Sequence, residues 1–422
     1  MPVPSKLPYD LHVDILAYLC PRRDFKTLDN CSVVCEEWQT IAQRVLFTSF
    51  VARGSPAPTH FRCTLRFLDS HPHLCGYVKD LSIKNSVIER YQHGTVDLDT
   101  VVSASDVIQL AQKLPGIRSL SIEGVTYMGD DTWRGGLPDL QSLRLEGIIC
   151  IGPRAEPTAL FMLSSHIKTV ILSDVNFDGY LTRGQTPSYL SCHHLILRLN
   201  QSVQIPATTK STSLINRIPT LQRVEELCVE GLVRNEVDLM NRLLRDCRYT
   251  LRSLRIGLYD GEESGSADDW VLPDLRACTS LRTMTIRASL DATFDMIDDI
   301  LLGHRERLLL HLISLTPPQV RILNLMLETS RLDIDGDTAE VCRLPWPTIG
   351  EYVRNGTKIN RVVIVIPPDF SKDLNAPRIH VYASEFIAQS FPRFHFRASK
   401  WLRFRVILFT ILTFLKIGKE VS

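Results

Sequence analysis

The chain of 422 residues has little to offer as a catalyst or as a nucleic-acid binder. It contains no G-x-G-x-x-G, G-x-x-x-x-G-K-[ST], G-x-S-x-G or H-E-x-x-H, so the commonest signatures of nucleotide binding, serine hydrolysis and zinc proteolysis are missing. Net charge is nearly absent too. Against 48 Lys and Arg stand 47 Asp and Glu, which leaves no global field to attract nucleic acid or an anionic membrane. The longest apolar run, Val406 to Leu415, has ten residues, whereas a membrane-spanning helix needs about 20. No secretory h-region follows Met1, and none of the 11 cysteines forms a C-x-x-C pair. Reduced thiols, a cytoplasmic or nuclear location and no membrane partner are the expectation.

Weak look-alikes of metal sites have plainer readings. His71, His73 and Cys75 lack a second half at zinc-ligand spacing, as do Cys31 and Cys35. In 333–340, Gly336 and Glu340 fall at the wrong offsets for a calcium loop, and a polar turn fits better. No cofactor is expected. The acidic stretch Asp260 to Asp269 reads as a loop.

Chemistry gives way to helical pattern in the first fifty residues. Pro8 suits a first helical position, and Leu7, Leu11, Ile15 and Leu19 recur at intervals of four. Pro21 ends that helix. Asp24 suits the N-cap of a second, in which Leu28, Cys31 and Cys35 share a face with Val34 beside them. A third carries Trp38, Ile41, Ala42 and Val45, closed by Leu46 and Phe47. Three helices in so few residues hold more apolar surface than they can hide, so a partner is expected.

The order Leu7-Pro8, Ile15-Leu16, Val34-Cys35, Trp38 within LPYDLHVDILAYLCPRRDFKTLDNCSVVCEEWQTIAQRVLF resembles an F-box, and the wording is similar to the large fungal F-box families. The match covers Leu7 to Phe47, roughly a tenth of the chain. The resemblance implies docking onto a Skp-type adaptor, and through it a cullin, by Leu7, Pro8, Leu11, Ile15, Leu16, Leu19, Leu28, Val34, Cys35 and Trp38. It departs at Pro21-Arg22-Arg23, where many members carry Leu.

Beyond the Gly- and Pro-containing stretch 52–59 the chain repeats itself. An apolar residue, two others, an apolar residue, one other and an apolar residue recur from Val78, Ile117, Leu140, Ile167, Cys192, Val224, Leu251, Leu281, Val320 and Ile359, at intervals of 23 to 39 residues. Amphipathic stretches such as Val107 to Leu114 and Val237 to Leu244 fall in the gaps, so each unit is expected to be a strand followed by a helix. The repeats resemble leucine-rich repeats, although only Asn200 stands where that repeat has its loop-bonding Asn; Val125, Ile148, Val175 and Leu232 occupy the position elsewhere.

The expected fold class is α/β: a three-helix F-box (1–50), a linker and first connecting segment (51–75), an irregular leucine-rich-repeat solenoid (76–370) and a C-terminal cap or tail (371–422). Side chains alternate along strands, so Glu123, Arg144, Glu146, Arg198, Glu226, Glu230, Arg255 and Arg287 are expected on an inner sheet face, where they would bind a protein target. The apolar run near 401–417 leaves three readings open: a buried cap, an interfacial anchor, or a tail that packs nowhere. Recruitment for ubiquitin transfer, with no bond-breaking of its own, is what the combined resemblance implies. A scaffold on the same adaptor and an enzyme with an unsigned site are the other classes.

Overall fold

Apolar residues three and four apart build the first helices of the computed structural model. It describes residues 9–21, 23–54, 60–85, 101–128, 140–151, 167–178, 190–199, 220–232, 236–258, 273–289, 309–328 and 361–365, with isolated positions at 137, 161, 164, 348, 351 and 359. The acidic stretch 260–269, the turn at 333–340 and the apolar run at 401–417 lie outside the described residues. The chain divides into two compact units, Met1–Val224 and Glu225–Ser422. That division falls inside the 76–370 stretch that the repeats suggest as one region.

In the first unit, α1 (Tyr9–Ala17), α2 (Phe25–Ser32) and α3 (Glu36–Leu46) enclose a small core of Leu16, Leu28, Ile41 and Ala42. Trp38, Leu19, Val45 and Leu46 pack against it half-buried. The expected stripe of α1 lies differently. His12 and Leu16 face inward, while Leu11 and Ile15 are exposed. Asp24 does occupy the N-cap of α2, but its carboxylate accepts from the backward-lying Cys20 N–H at 2.8 Å and caps no N–H of α2 itself.

The stretch expected as a linker and first connecting segment, 51–75, carries regular elements where it is described. β1 (Ser49–Gly54) crosses its start, and α4 (His60–Ser70) and α5 (Pro72–Cys75) follow. Next come β2 (Asp80–Asn85), β3 (Val101–Ser103), α6 (Ala104–Gln112), β4 (Ser119–Glu123), β5 (Thr126–Met128), β6 (Ser142–Glu146) and β7 (Ile149–Ile151). β8 (Thr169–Ser173), β9 (Asn176–Asp178), β10 (Leu190–Ser191), β11 (His194–Arg198) and β12 (Leu221–Gln222) complete the unit. The strands β1-β2-β4-β6-β8-β11 lie side by side in that order, all parallel.

Register explains why the motif repeats. Leu81, Leu120, Leu143, Val170 and Leu195 stand in one row across the sheet, and Ile83, Ile122, Leu145, Leu172 and Leu197 in a second. Every one of these side chains is buried. A slip of one residue would turn both rows to the open face, so the apolar alternation itself sets the pairing.

The expectation of strand then helix needs correction in part. After β4, β6 and β8 the chain turns through Gly124, Gly147 and Asp174, all at positive φ, and enters a second short strand. The three turns share one bond: Gly124 N–H donates to Glu146 O, Gly147 N–H to Ser173 O and Asp174 N–H to Arg198 O, at 2.9, 2.9 and 3.1 Å. β3, β5, β7 and β9 form their own parallel sheet. Val125, Ile148 and Val175, which stand where a leucine-rich repeat would have Asn, are buried between the two strands of each unit. The helix expected over Val107 to Leu114 is present as α6, which ends at Gln112 short of Leu114, with Ser103 and Asp106 forming a capping box.

The second unit is built alike. β13 (Glu226–Leu232) precedes α7 (Val237–Cys247), whose inward face carries Val237, Met240, Leu243, Leu244 and Cys247 as its spacing predicts. β14 (Ser253–Leu258), β15 (Thr283–Ser289), β16 (Ile322–Glu328) and β17 (Arg361–Val365) follow in parallel order. Leu227, Leu254, Met284 and Leu323 form one buried row, and Val229, Ile256, Ile286 and Leu325 another. The protein is thus mixed α/β, with each of the ten sequence repeats supplying one strand to a parallel arrangement. Among the described residues, no helix is long and apolar enough to cross a membrane.

Candidate functional site

Two surfaces gather the residues singled out in the sequence. The first is the outside of α1–α3. Leu11 is 45% exposed, Ile15 47%, Val34 65% and Val33 82%, with Tyr9, Tyr18 and Phe25 also in solvent. Among the described residues, seven large apolar side chains stand exposed on this short stretch, above a buried cluster of Leu16, Leu28, Ile41 and Ala42, an inversion of the usual distribution. Of the candidate adaptor residues, Leu11, Ile15, Val34 and Cys35 are exposed and Leu19 and Trp38 half-buried; Leu16 and Leu28 are wholly internal. Those last two hold the helices together and reach no surface. Leu7 and Pro8 lie outside the described residues. Trp38 sits between core and rim, its ring 5.3 Å from that of the buried His12.

The second surface is the open face of the sheets, and there the candidate target residues answer one another. In the first unit, Lys84 and Glu123 are register partners on β2 and β4 and form an ion pair; Ser121 Oγ donates to the same carboxylate at 2.7 Å. Burial pushes the Glu123 carboxyl up. Hydrogen bonds from Lys84 and Ser121, with the charges of Lys84 and Arg144, outweigh it and hold the group below its ordinary value. Arg144 Nε donates to Glu146 two residues along β6 at 2.8 Å. Arg198 is exposed at the end of β11.

In the second unit, Glu230 on β13 reaches Arg255 on β14 at 3.5 Å and Arg287 on β15 at 3.2 Å. The longer reach crosses a whole strand, and Gly257 makes it possible. Gly257 is the register partner of both Glu230 and Arg287, and a Cβ there would meet Glu230 Cα at 3.4 Å and Arg287 Cβ at 3.6 Å. A longer side chain would fill the path of the pair. Glu226 lies exposed at the start of β13. The sheet faces therefore carry matched charge clusters, with Glu123, Arg144, Glu146, Glu230, Arg255 and Arg287 already engaged internally.

The supposed metal-like residues are local packing. His71 stacks on Phe67 with centroids 4.6 Å apart, and the Cys75 thiol donates to Leu68 O at 3.6 Å, its pKa raised by burial. Among the described residues, no group of three or more His, Cys, Asp or Glu could hold a metal ion.

Sequence reasoning missed Lys84, which is 39 residues from its partner and carries no motif. It missed as well a cleft of about 200 Å³ in the first unit, lined by Ile167, Lys168, Ser191, His193 and Arg223. No protein-family model matches the chain, and no curated protein matches it.

Proposed function

We propose that the chain is the substrate-recognition subunit of a Skp-cullin-F-box type ubiquitin ligase. In this reading α1–α3 are an F-box that holds a Skp-type adaptor and through it a cullin. The parallel repeats are an irregular leucine-rich-repeat solenoid that holds a protein target. The observation that supports it best is the exposed apolar set Leu11, Ile15, Val33 and Val34 on a helical unit above the buried cluster of Leu16, Leu28, Ile41 and Ala42. Such a set loses free energy to water at roughly 25 cal/mol per Å² until a partner covers it. Holding adaptor and target on one chain raises the rate of ubiquitin transfer by proximity, without chemistry from this protein. Because the sheet-face charges are matched at rest, a target must exchange partners with them. Specificity gains more than affinity from such a surface.

The test is capture of adaptor and cullin from the native cell by the full chain and by its Ile15→Glu, Val34→Glu double variant. Both positions are exposed, and substitutions at such positions usually change stability by less than about 0.5 kcal/mol. The wild type should retain both partners and the variant neither, at equal circular dichroism. Equal capture by the two would remove the helices from the interface.

A further inference from the structure

The cleft of the first unit gathers basic side chains from three separate places in the chain. Lys168 precedes β8, His193 precedes β11, and Arg223 follows β12. His193 N–H donates to Lys168 O at 3.1 Å, which sets those two side by side. Ser191 on β10 pairs with Gln222 on β12, which brings Arg223 to the same place. Ile167, fully buried, forms the apolar wall. Among the described residues no carboxylate lines the cleft, and Lys168 and Arg223 have no ion-pair partner.

The backbone at Arg223 adds a separate observation. Its φ is +61°, a left-handed conformation that glycine adopts more readily than arginine. A bulky cation kept where glycine would be cheaper points to a use for its side chain.

From these features we infer that the cleft is a binding site for the phosphoryl group of a phosphomonoester. An arginine fork, an ammonium and a hydroxyl together supply donors for several oxygens of one doubly charged group, more than a single carboxylate accepts. The volume of about 200 Å³ is small beside the roughly 300–1,000 Å³ typical of drug-sized ligands, and it suits a single phosphoryl group. The site stands whether or not α1–α3 bind an adaptor.

The experiment titrates the full chain with inorganic phosphate and reads ³¹P line broadening and melting temperature, with chloride at matched ionic strength as reference. Phosphate stabilises most folded proteins through exclusion from their surfaces, so the decisive quantity is the difference between wild type and Arg223→Gly. That variant removes the cation while relieving the left-handed strain, so it should melt no lower than wild type in the absence of phosphate. Its phosphate affinity should fall at least tenfold, and Lys168→Met should fall similarly. Glycerol 2-phosphate and a phosphoserine peptide then separate the sources: equal affinities assign the cleft to small phosphate esters, and a tenfold preference for the peptide assigns it to a phosphorylated chain. Wild-type phosphate affinity in Arg223→Gly, or no broadening beyond the chloride reference in wild type, would overturn the site.

Discussion

Asp174 shows how single residues are placed by the repeat and not by their own chemistry. It holds the left-handed corner that Gly124 and Gly147 hold in the preceding repeats, at φ +51°. Burial raises its pKa, the hydrogen bond with Ser173 opposes the rise in part, and the charges of Glu146 and Arg198 add smaller effects up and down. Replacement by glycine removes a backbone cost of roughly 1–2 kcal/mol and adds a chain-entropy cost of roughly 0.5–1, for a net gain near 0.5–1 kcal/mol. The charge adds a pH dependence. A raised folded pKa means the ionised carboxylate is disfavoured in the fold above that pKa, and the penalty vanishes once pH falls below the ordinary value of 3.8. The advantage of Asp174→Gly in urea melts should therefore be larger at pH 7 than at pH 3; a variant less stable than wild type at pH 7 would refute it. None of this was legible from Asp174 alone, because an acidic residue after a strand carries no sign of φ.

At the scale of elements, the motif's alternation is the strongest signal in the chain, and all ten instances become strands. It is legible because two apolar positions two apart, preceded by a third three residues earlier, recur ten times, and the closing alternation fits a pleated strand. The short strands β5, β7 and β9 were not legible, since three residues are too few to show a period. β1 was hidden for another reason: SFVARG joins the end of a helical unit to a Gly-Pro stretch, and its pairing with β2 is tertiary. Charge pairs such as Lys84 with Glu123, and the cleft residues, are distant in sequence and converge only once register is known. Burial in two rows also predicts which truncations hurt. Leu143 on β6 is fully buried between β4 and β8, so Leu143→Ala should cost about 2–5 kcal/mol. A loss under 1 kcal/mol in chemical denaturation would show that the row is not a packed core.

For the whole molecule, the account assigns different jobs to different surfaces. The outer faces of α1–α3 carry uncovered apolar side chains, the sheet faces carry charges already paired, and the cleft of the first unit gathers basic side chains. Only the first combination asks for an apolar partner, and there the docking reading is most exposed to test. Isothermal calorimetry of the purified full chain with a purified Skp-type adaptor, at several temperatures, measures it directly. Covering Leu11, Ile15, Val33 and Val34 predicts one-to-one binding with a negative heat-capacity change, abolished by Ile15→Glu, Val34→Glu. No heat of binding, or binding by that double variant at wild-type strength, would contradict it.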